Sequence, residues 1–305
     1  MSPRALVTGA AGFVGSNLCW ELAARGWQVV AMDDFSAGSW ENLRGLPGDV
    51  VAASYGDVDF WAKRVGKIDG VFHQGAISDT TVMDQALMMK VNVEGTRDLL
   101  AWAAKAKVKK VVYASSAATY GDLPVPQRED AEPRPMNVYG FSKQVMETVA
   151  AQAKGVKAVG LRYFNVFGPR EAHKNKSASM IWQLSLQMKA GRRPRVFEHG
   201  EQYRDFIYVK DVVDANIRAF EKAAPGVYNV CTGRKTDFNG VIAALNATLG
   251  TSLQPEYFKN PYSFYQNETL GDPAKAQKAF CFRSQWTTER AIQDYIGGRK
   301  VPVGV

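Results

Sequence analysis

Cysteine is scarce in this 305-residue chain: Cys19, Cys231 and Cys281 are the only three, and they lie far apart. They form no CxxC pair and no disulfide framework, so a reducing compartment, the cytoplasm by default, is the expectation. Histidine is equally sparse. His73, His173 and His199 make no HxH or HExxH pattern, so no metal site is expected. There is no apolar run of about 20 residues, which argues against a membrane span. No signal peptide is visible: the short run Ala5-Leu6-Val7 breaks at Thr8-Gly9. Internal repeats and low-complexity tracts are missing as well. What remains is ordinary globular composition, 46% hydrophobic and 22% charged, enough for one large domain or two modest ones. Lys and Arg exceed Asp and Glu by 38 to 30, a surplus that permits an anionic partner without naming it.

The chain opens with a strand at Arg4–Thr8, a glycine turn from Gly9 through Gly12 to Gly15, and a helix over Ser16–Arg25. A second strand, Gln28–Met32, ends at Asp33-Asp34. Strand, glycine turn, helix, strand and acid make a βαβ unit. The alternation continues with strands at Gly70–His73, Lys109–Ala114 and Ala158–Tyr163 and helices over Met83–Ala104 and Tyr139–Ala153. Residues 121–137, rich in proline and charge, read as a loop. Further on, Phe206–Val209 and Val227–Val230 read as strands around a helix at 210–222, and helices are expected over Phe238–Leu249, Pro273–Ala279 and Thr288–Ile296. The expected fold is α/β: a Rossmann-type, doubly wound parallel sheet over residues 1–168. Residues 169–305 would form a smaller, mainly substrate-binding domain, with segments near 205–232 returning to the sheet.

The turn has GxxGxxG spacing rather than GxGxxG, but its job is the same. Gly9 allows the tight bend, Gly12 the close approach to a pyrophosphate, and Gly15 the packing of helix on sheet. The turn is no ATP-hydrolysing P-loop, because it lacks the closing Gly-Lys-Ser/Thr. Asp33 is placed to accept from an adenosine ribose 2′-hydroxyl, with Asp34 its nearest rival. No Lys or Arg occurs between Asp33 and Glu41, so nothing waits for a 2′-phosphate. NAD is therefore the expected cofactor and NADP the alternative. Phe13 and Val14 at the helix start, Gly75 and Ala76 after a strand, and Asn92 in the long helix are further cofactor candidates. Asp57 would reach the adenine or be an ordinary surface acid.

Tyr139 and Lys143, spaced i,i+4, share one helix face. An adjacent ammonium lowers a phenol's pKa, which would make Tyr139 a proton shuttle near neutral pH. Lys143 would also bond the nicotinamide ribose. Ser116, at a strand's C-terminal end, would bond the oxygen being oxidised.

These residues carry a family resemblance. Thr8-Gly-Ala-Ala-Gly-Phe-Val-Gly15, Val91-Asn-Val-Glu-Gly-Thr96, Tyr139-Gly-Phe-Ser-Lys143, Arg162-Tyr-Phe-Asn-Val-Phe-Gly-Pro-Arg170 and Arg204-Asp-Phe-Ile-Tyr-Val209 resemble extended short-chain dehydrogenases/reductases of the sugar-nucleotide epimerase and dehydratase branch. A narrower set is similar to the ADP-glyceromanno-heptose 6-epimerases: His73-Gln-Gly-Ala-Ile-Ser-Asp-Thr-Thr81, Tyr113-Ala-Ser-Ser-Ala-Ala-Thr-Tyr-Gly121, Asn137-Val-Tyr-Gly140 and Gly168-Pro-Arg-Glu-Ala-His-Lys174. That resemblance implies an isomerase that interconverts ADP-D-glycero- and ADP-L-glycero-D-manno-heptose for lipopolysaccharide synthesis through a transient ketone. It implies homo-oligomers too. It makes Lys174 a second base beside Tyr139, whereas spacing alone leaves Lys174 a solvated lysine in a basic loop. Two departures stand out. The heptose family is described as NADP-using with a lysine after the second strand, where this chain has Phe35-Ser-Ala-Gly-Ser-Trp40. Near the C-terminus, Tyr265-Gln266 is kept but Phe264 stands where an arginine is common.

Residues 170–204 carry eight basic against three acidic side chains. They have no aromatic interleaving and no helix-turn-helix or zinc pattern, so the expected anion is a nucleotide-diphosphate sugar and not a nucleic acid. Arg204 is the candidate for the pyrophosphate. Asn165, Ser78, Arg170, His173 and Tyr265 are candidates for the sugar or phosphates. Three other functions stay in view. A UDP-hexose 4-epimerase would need Ser116 and Tyr139 but not Lys174. A 4,6-dehydratase would want a carboxylate after Ser116, where Ala117-Ala118-Thr119 stands. A non-catalytic dinucleotide-binding protein would not need the intact Ser116, Tyr139 and Lys143.

Overall fold

The computed structural model describes residues 2–260 and 268–298. Its first half lays down β1 (Arg4–Thr8), α1 (Phe13–Ala24), β2 (Gln28–Asp33), β3 (Asp49–Ala52), α2 (Val58–Trp61) and β4 (Gly70–His73). Then come α3 (Gln85–Met89), α4 (Gly95–Lys105), β5 (Lys110–Ser116), α5 (Val138–Gln152), β6 (Ala158–Tyr163) and β7 (Asn165–Phe167). The second half contributes α6 (Met180–Lys189), β8 (Arg195–Phe197), β9 (Tyr203–Arg204), β10 (Phe206–Tyr208), α7 (Val209–Lys222) and β11 (Gly226–Val230). It ends with β12 (Thr236–Asp237), α8 (Phe238–Leu249), β13 (Glu256–Phe258), α9 (Ala274–Phe280) and α10 (Thr288–Ile292).

Seven strands form one parallel sheet in the order β11-β6-β5-β4-β1-β2-β3. The order reverses at β1, and a crevice opens beyond the C-terminal strand ends at such a reversal. Alternation along β1 explains the two buried faces. Ala5 and Val7 join one apolar cluster with Leu18 of α1, Val212 of α7 and Phe280 of α9. Leu6 points the other way, to Leu99 of α4 and Met146 of α5. A third cluster lies between α6, α8 and α10, through Ile181, Leu184, Val241, Leu245 and Ile292. Among the described residues three two-stranded ladders, β10-β7, β12-β9 and β13-β8, lie outside the large sheet. β11 returns to the large sheet beside β6. No helix among the described residues is long and apolar enough to cross a membrane.

The single helix expected over Met83–Ala104 is three pieces: α3, a π-helical stretch at Lys90–Glu94, and α4. Asn92 accounts for the widened stretch. Its side chain accepts from Ile77 N at 2.8 Å and donates to Ile77 O at 3.0 Å and to Ser142 Oγ at 3.0 Å, which draws that part of the helix toward two neighbouring segments. The strands β3 and β7 and the helix α6, which the sequence pattern does not announce, are supported by pairing and packing with distant segments.

Candidate active site

The glycine turn is built by steric exclusion. Gly9 has φ +63°, and a Cβ there would lie 2.6 Å from the Cα of Gly75. A Cβ at Gly15 would overlap the Gly9 carbonyl oxygen. The loops after β1 and β4 therefore touch backbone to backbone. Gly12 is the N-cap of α1 and offers no side-chain cap, so the amides of Phe13, Val14 and Gly15 have no intrahelical acceptor. Such a helix start suits a pyrophosphate. The residues present thus fit a dinucleotide.

Asp33 closes this turn from behind. Its Oδ2 accepts from Ala11 N at 2.9 Å and its Oδ1 from Phe35 N at 2.8 Å. Burial raises its pKa, and these amides work against that rise. Asp34 is exposed and accepts from Ser36 N and Oγ. Asp57 is also exposed and makes no side-chain cap at α2. The segment from Asp34 to Trp40 brings no cation to this place.

Tyr139 reaches the crevice because α5 starts where it does. Asn137 caps that helix, accepting from Gly140 N at 2.7 Å, and Tyr139 lies in the first turn. Gly140 lets the helix start approach β5: a Cβ there would be 2.5 Å from the Ala118 carbonyl oxygen. Ser116 ends β5 and caps the short turn that follows, accepting from Ala118 N at 3.1 Å. Tyr139 keeps some exposed surface, but its hydroxyl is desolvated. Burial raises its pKa, and a hydrogen bond with the Ser116 hydroxyl draws it down.

This corrects the expectation that Lys143 lowers the Tyr139 pKa. The Lys143 Nζ lies 5.8 Å from the centre of the Tyr139 ring and donates to the Ala114 carbonyl at 2.8 Å. Burial pushes its own pKa to about 7, against an upward pull from Glu147. An amine only half charged at neutral pH exerts less field than a full ammonium.

His73 lies under the crevice as a neutral tie. Its ring nitrogens bond the hydroxyls of Thr8 at 2.6 Å and Thr96 at 2.9 Å. Burial, helped by the nearby Lys143, pushes its pKa down to about 3. Gly75 packs on Tyr55 and donates its amide to Thr8 Oγ1 at 3.3 Å; Ala76 follows, partly exposed. Asn92 spends its amide on Ile77 and Ser142, behind the crevice wall.

Lys174 lies on a 3-10 stretch, Ala172–Ser177, bent at Asn175 where φ is +49°. Its Nζ is 6.0 Å from the centre of the Phe13 ring, at the start of α1. Burial lowers its pKa, while Glu171 and Asp79 pull it up. Asp79 comes from the loop after β4 and accepts from Ser177 Oγ at 3.0 Å. Glu171 is buried and fixes the loop base, accepting from Gly168 N, Ser179 N and Ser179 Oγ. The side chain of His173 faces Asn42 at 3.2 Å. Ser78 is exposed near Asp79.

The basic segment does not gather at one place. Arg170 donates to Asn17 Oδ1 at 3.1 Å and lies over Trp20. It lines a groove of about 680 Å³ with Arg25, Lys210 and Asp294, and that lining includes none of Ser116, Tyr139, Lys143 or Lys174. Arg193 donates to the carbonyls of Gln254 and Pro255, and Arg195 pairs with Glu256 at 3.0 Å. Those two brace the β8-β13 ladder. The eight basic residues of 170–204 are therefore not gathered at a single anion site. Arg204 pairs in register with Thr236, donates to its neighbour's carbonyl Tyr203 O and sits 5.9 Å from the Phe238 ring centre. Asn165 donates to Thr269 Oγ1 at 3.0 Å. Tyr265, with Phe264 and Gln266, lies outside the described residues.

Several engaged side chains escape the sequence reading. Glu147 and Arg162 pair at 2.7 Å inside the protein. Asp205, fully buried, accepts from Thr232 N, Thr232 Oγ1, Gly233 N and Gly271 N. Glu147 had one available signal, its position one turn beyond Lys143; Asp205 lies within the segment Arg204-Asp-Phe-Ile-Tyr-Val209, but its partners are distant in sequence. Among the described residues no group of three or more His, Cys, Asp or Glu side chains is arranged to hold a metal ion.

A parallel sheet with a glycine turn suited to a dinucleotide, a serine at a strand end and a tyrosine-lysine pair on the helix beside it define an enzyme of the short-chain dehydrogenase/reductase type. Within that class the sequence is specific: residues 5–231 match the NAD dependent epimerase/dehydratase family, and the chain belongs to it. Among solved structures it is similar to Helicobacter pylori ADP-L-glycero-D-manno-heptose-6-epimerase, at 38% identity and TM-score 0.90 over 97% of this chain and 96% of that one. It is similar also to Thermotoga maritima UDP-glucose 4-epimerase with UDP-glucose, at 30% identity and TM-score 0.89 over 96% and 97%. A third likeness is to Thermus thermophilus UDP-glucose 4-epimerase complexed with NAD, at 28% identity and TM-score 0.83 over 95% and 96%.

Proposed function

We propose that this chain is a nucleotide-sugar epimerase that inverts a carbinol carbon of an ADP-heptose, interconverting the D-glycero and L-glycero forms of ADP-glycero-D-manno-heptose. The observation that carries this reading is Lys174, a partly desolvated amine beside Phe13 and Asp79, in addition to Tyr139. Inversion through a ketone asks for proton transfer on two faces of the sugar. A UDP-hexose 4-epimerase that turns its ketone over beneath one tyrosine needs only one carrier. The 38% identity to the Helicobacter enzyme supports the same choice.

The chemistry that a bound NAD would supply is reversible hydride transfer at the carbinol carbon. Gly9, Gly12, Gly15 and the amides of Phe13 and Val14 would hold its pyrophosphate, and Asp33 its adenosine ribose. Gly75 and Ala76 would line its passage past β4, and Lys143 would bond the nicotinamide ribose. On the substrate, Ser116 would bond the reacting oxygen and Tyr139 would take or give its proton. Lys174 would do so for the other epimer. A lysine serves as a base only when part of it is neutral, and burial acts in that direction here. Arg204 and Asn165 are assigned to the diphosphate side of the sugar nucleotide.

The test is product analysis with ADP-D-glycero-D-manno-heptose and a UDP-hexose side by side. The expected outcome is turnover of the heptose and a fall of about 10²-fold or more in kcat for Lys174→Ala. Wild-type rates in Lys174→Ala, or turnover of the UDP-hexose alone, would refute the two-carrier reading.

A further inference from the structure

Glu147 takes no part in the chemistry above, yet it touches what does. It follows Lys143 by one turn of α5, on the same face. Its Oε1 accepts from Ser115 Oγ at 2.5 Å and from Arg162 Nε at 2.8 Å, and its Oε2 from Arg162 Nη2 at 2.7 Å. Ser115 stands on β5 between Ala114, whose carbonyl receives the Lys143 Nζ, and Ser116. One carboxylate thus holds the strand segment on which two active-site groups depend.

The pair is expensive for the fold. Side-chain exposure is 4% for Arg162 and 9% for Glu147. The guanidinium lies 4.6 Å from the Tyr120 ring centre, and among the described residues its buried Nη1 has no hydrogen-bond partner. Apolar side chains of similar volume often replace such a pair without loss of stability. Stability is therefore a weak reason for a charge at this place.

We propose that Glu147 is a positioning residue for Ser116, Tyr139 and Lys143: its carboxylate, one helical turn from Lys143, favours the charged form of that amine, and its bond to Ser115 fixes the end of β5. The proposal rests on the reading of Lys143 as part of the active site. The groups around Lys143 leave Glu147 the charge that favours the ammonium. His73, from β4, is neutral, and Tyr139 on α5 is a buried phenol with a raised pKa. Glu147 itself faces Arg162 on β6 and the buried phenol of Tyr113 on β5. Burial brings Lys143 to about 7 even with Glu147 opposing it, so loss of that carboxylate would leave the neutral amine dominant.

The test follows the Lys143 proton directly, by carbon NMR of protein labelled at lysine Cε. The wild-type chain should show one lysine titrating near 7, well apart from the surface lysines, and absent from Lys143→Met. In Glu147→Gln/Arg162→Met, which keeps an acceptor for Ser115 and leaves no orphaned guanidinium, that midpoint should fall by roughly one pH unit. The alkaline limb of kcat/KM should move the same way. Glu147→Asp keeps a partner for Arg162 and serves if the double variant does not fold; its midpoint should fall by less. An unchanged midpoint in a folded variant overturns the proposal, as does a wild-type chain with no lysine titrating near 7. The titration needs no substrate. A chain that epimerised nothing would sink the proposed function, whereas an unmoved Lys143 would sink this inference alone.

Discussion

Tyr139 sits in surroundings that oppose its own ionisation. Burial raises its pKa, and the counterweight is a neutral hydroxyl, that of Ser116. The structure therefore favours the phenol form, ready to give a proton, and removal of that proton depends on what else lies nearby when substrate is present. Tyr139→Phe should lower kcat by about 10²- to 10⁴-fold. The dissociation constant for NAD, read by calorimetry, should change by less than a few-fold, because in the proposed mechanism the phenol oxygen serves the substrate. At this scale Ser116, Tyr139 and Lys143 were legible, since helical spacing and a strand end place them without knowledge of distant contacts. The electrostatics were not legible. Desolvation depends on every segment that covers a group, so the shift of Lys143 to about 7 has no signature in Tyr139-Gly-Phe-Ser-Lys143 itself.

Elements meet at His73, which joins β1 through Thr8 and the π-helical stretch and α4 through Thr96. Its pKa is pushed from an ordinary 6.5 to about 3 in the folded chain. A histidine with a depressed folded pKa contributes its full stability above its unfolded pKa. That contribution is lost progressively as pH falls from 6.5 toward 3, by up to about 5 kcal/mol. Urea unfolding of His73→Gln should accordingly show a flatter fall in stability between pH 6.5 and 4 than the wild type. The βαβ start was readable at this scale, with α1 beginning three residues earlier than its apolar pattern implies because the glycine turn leads straight into it. The break in the helix before α4 was not. Asn92 makes it by bonding Ile77 and Ser142, which are remote in sequence.

Across the whole molecule Asp205 joins pieces that sequence keeps apart. It receives Thr232 and Gly233 just after β11 and Gly271 just before α9, so one carboxylate fastens the returning strand to the C-terminal segment. Asp205→Asn would turn an amide NH₂ toward donors that now point at a carboxylate oxygen. A loss of about 2–4 kcal/mol is expected, measured by denaturant unfolding at pH 7. The scatter of the basic residues was not legible in the sequence for a related reason. Arg170, Arg193 and Arg195 are near one another in the chain or follow one basic run, but folding sends them to α1 and to the β8-β13 ladder.

The sequence by itself determined the class of fold, the dinucleotide turn and the serine, tyrosine and lysine of the crevice. Those depend on local rules: a strand alternates every two residues, a helix repeats every 3.6, and a glycine turn needs no distant partner. Only the tertiary structure decided how each ionisable group is tuned and where the basic residues go. Burial, the Glu147–Arg162 pair and the approach of Asp79 to Lys174 arise when segments far apart in the chain are packed together, and desolvation exists only once they are.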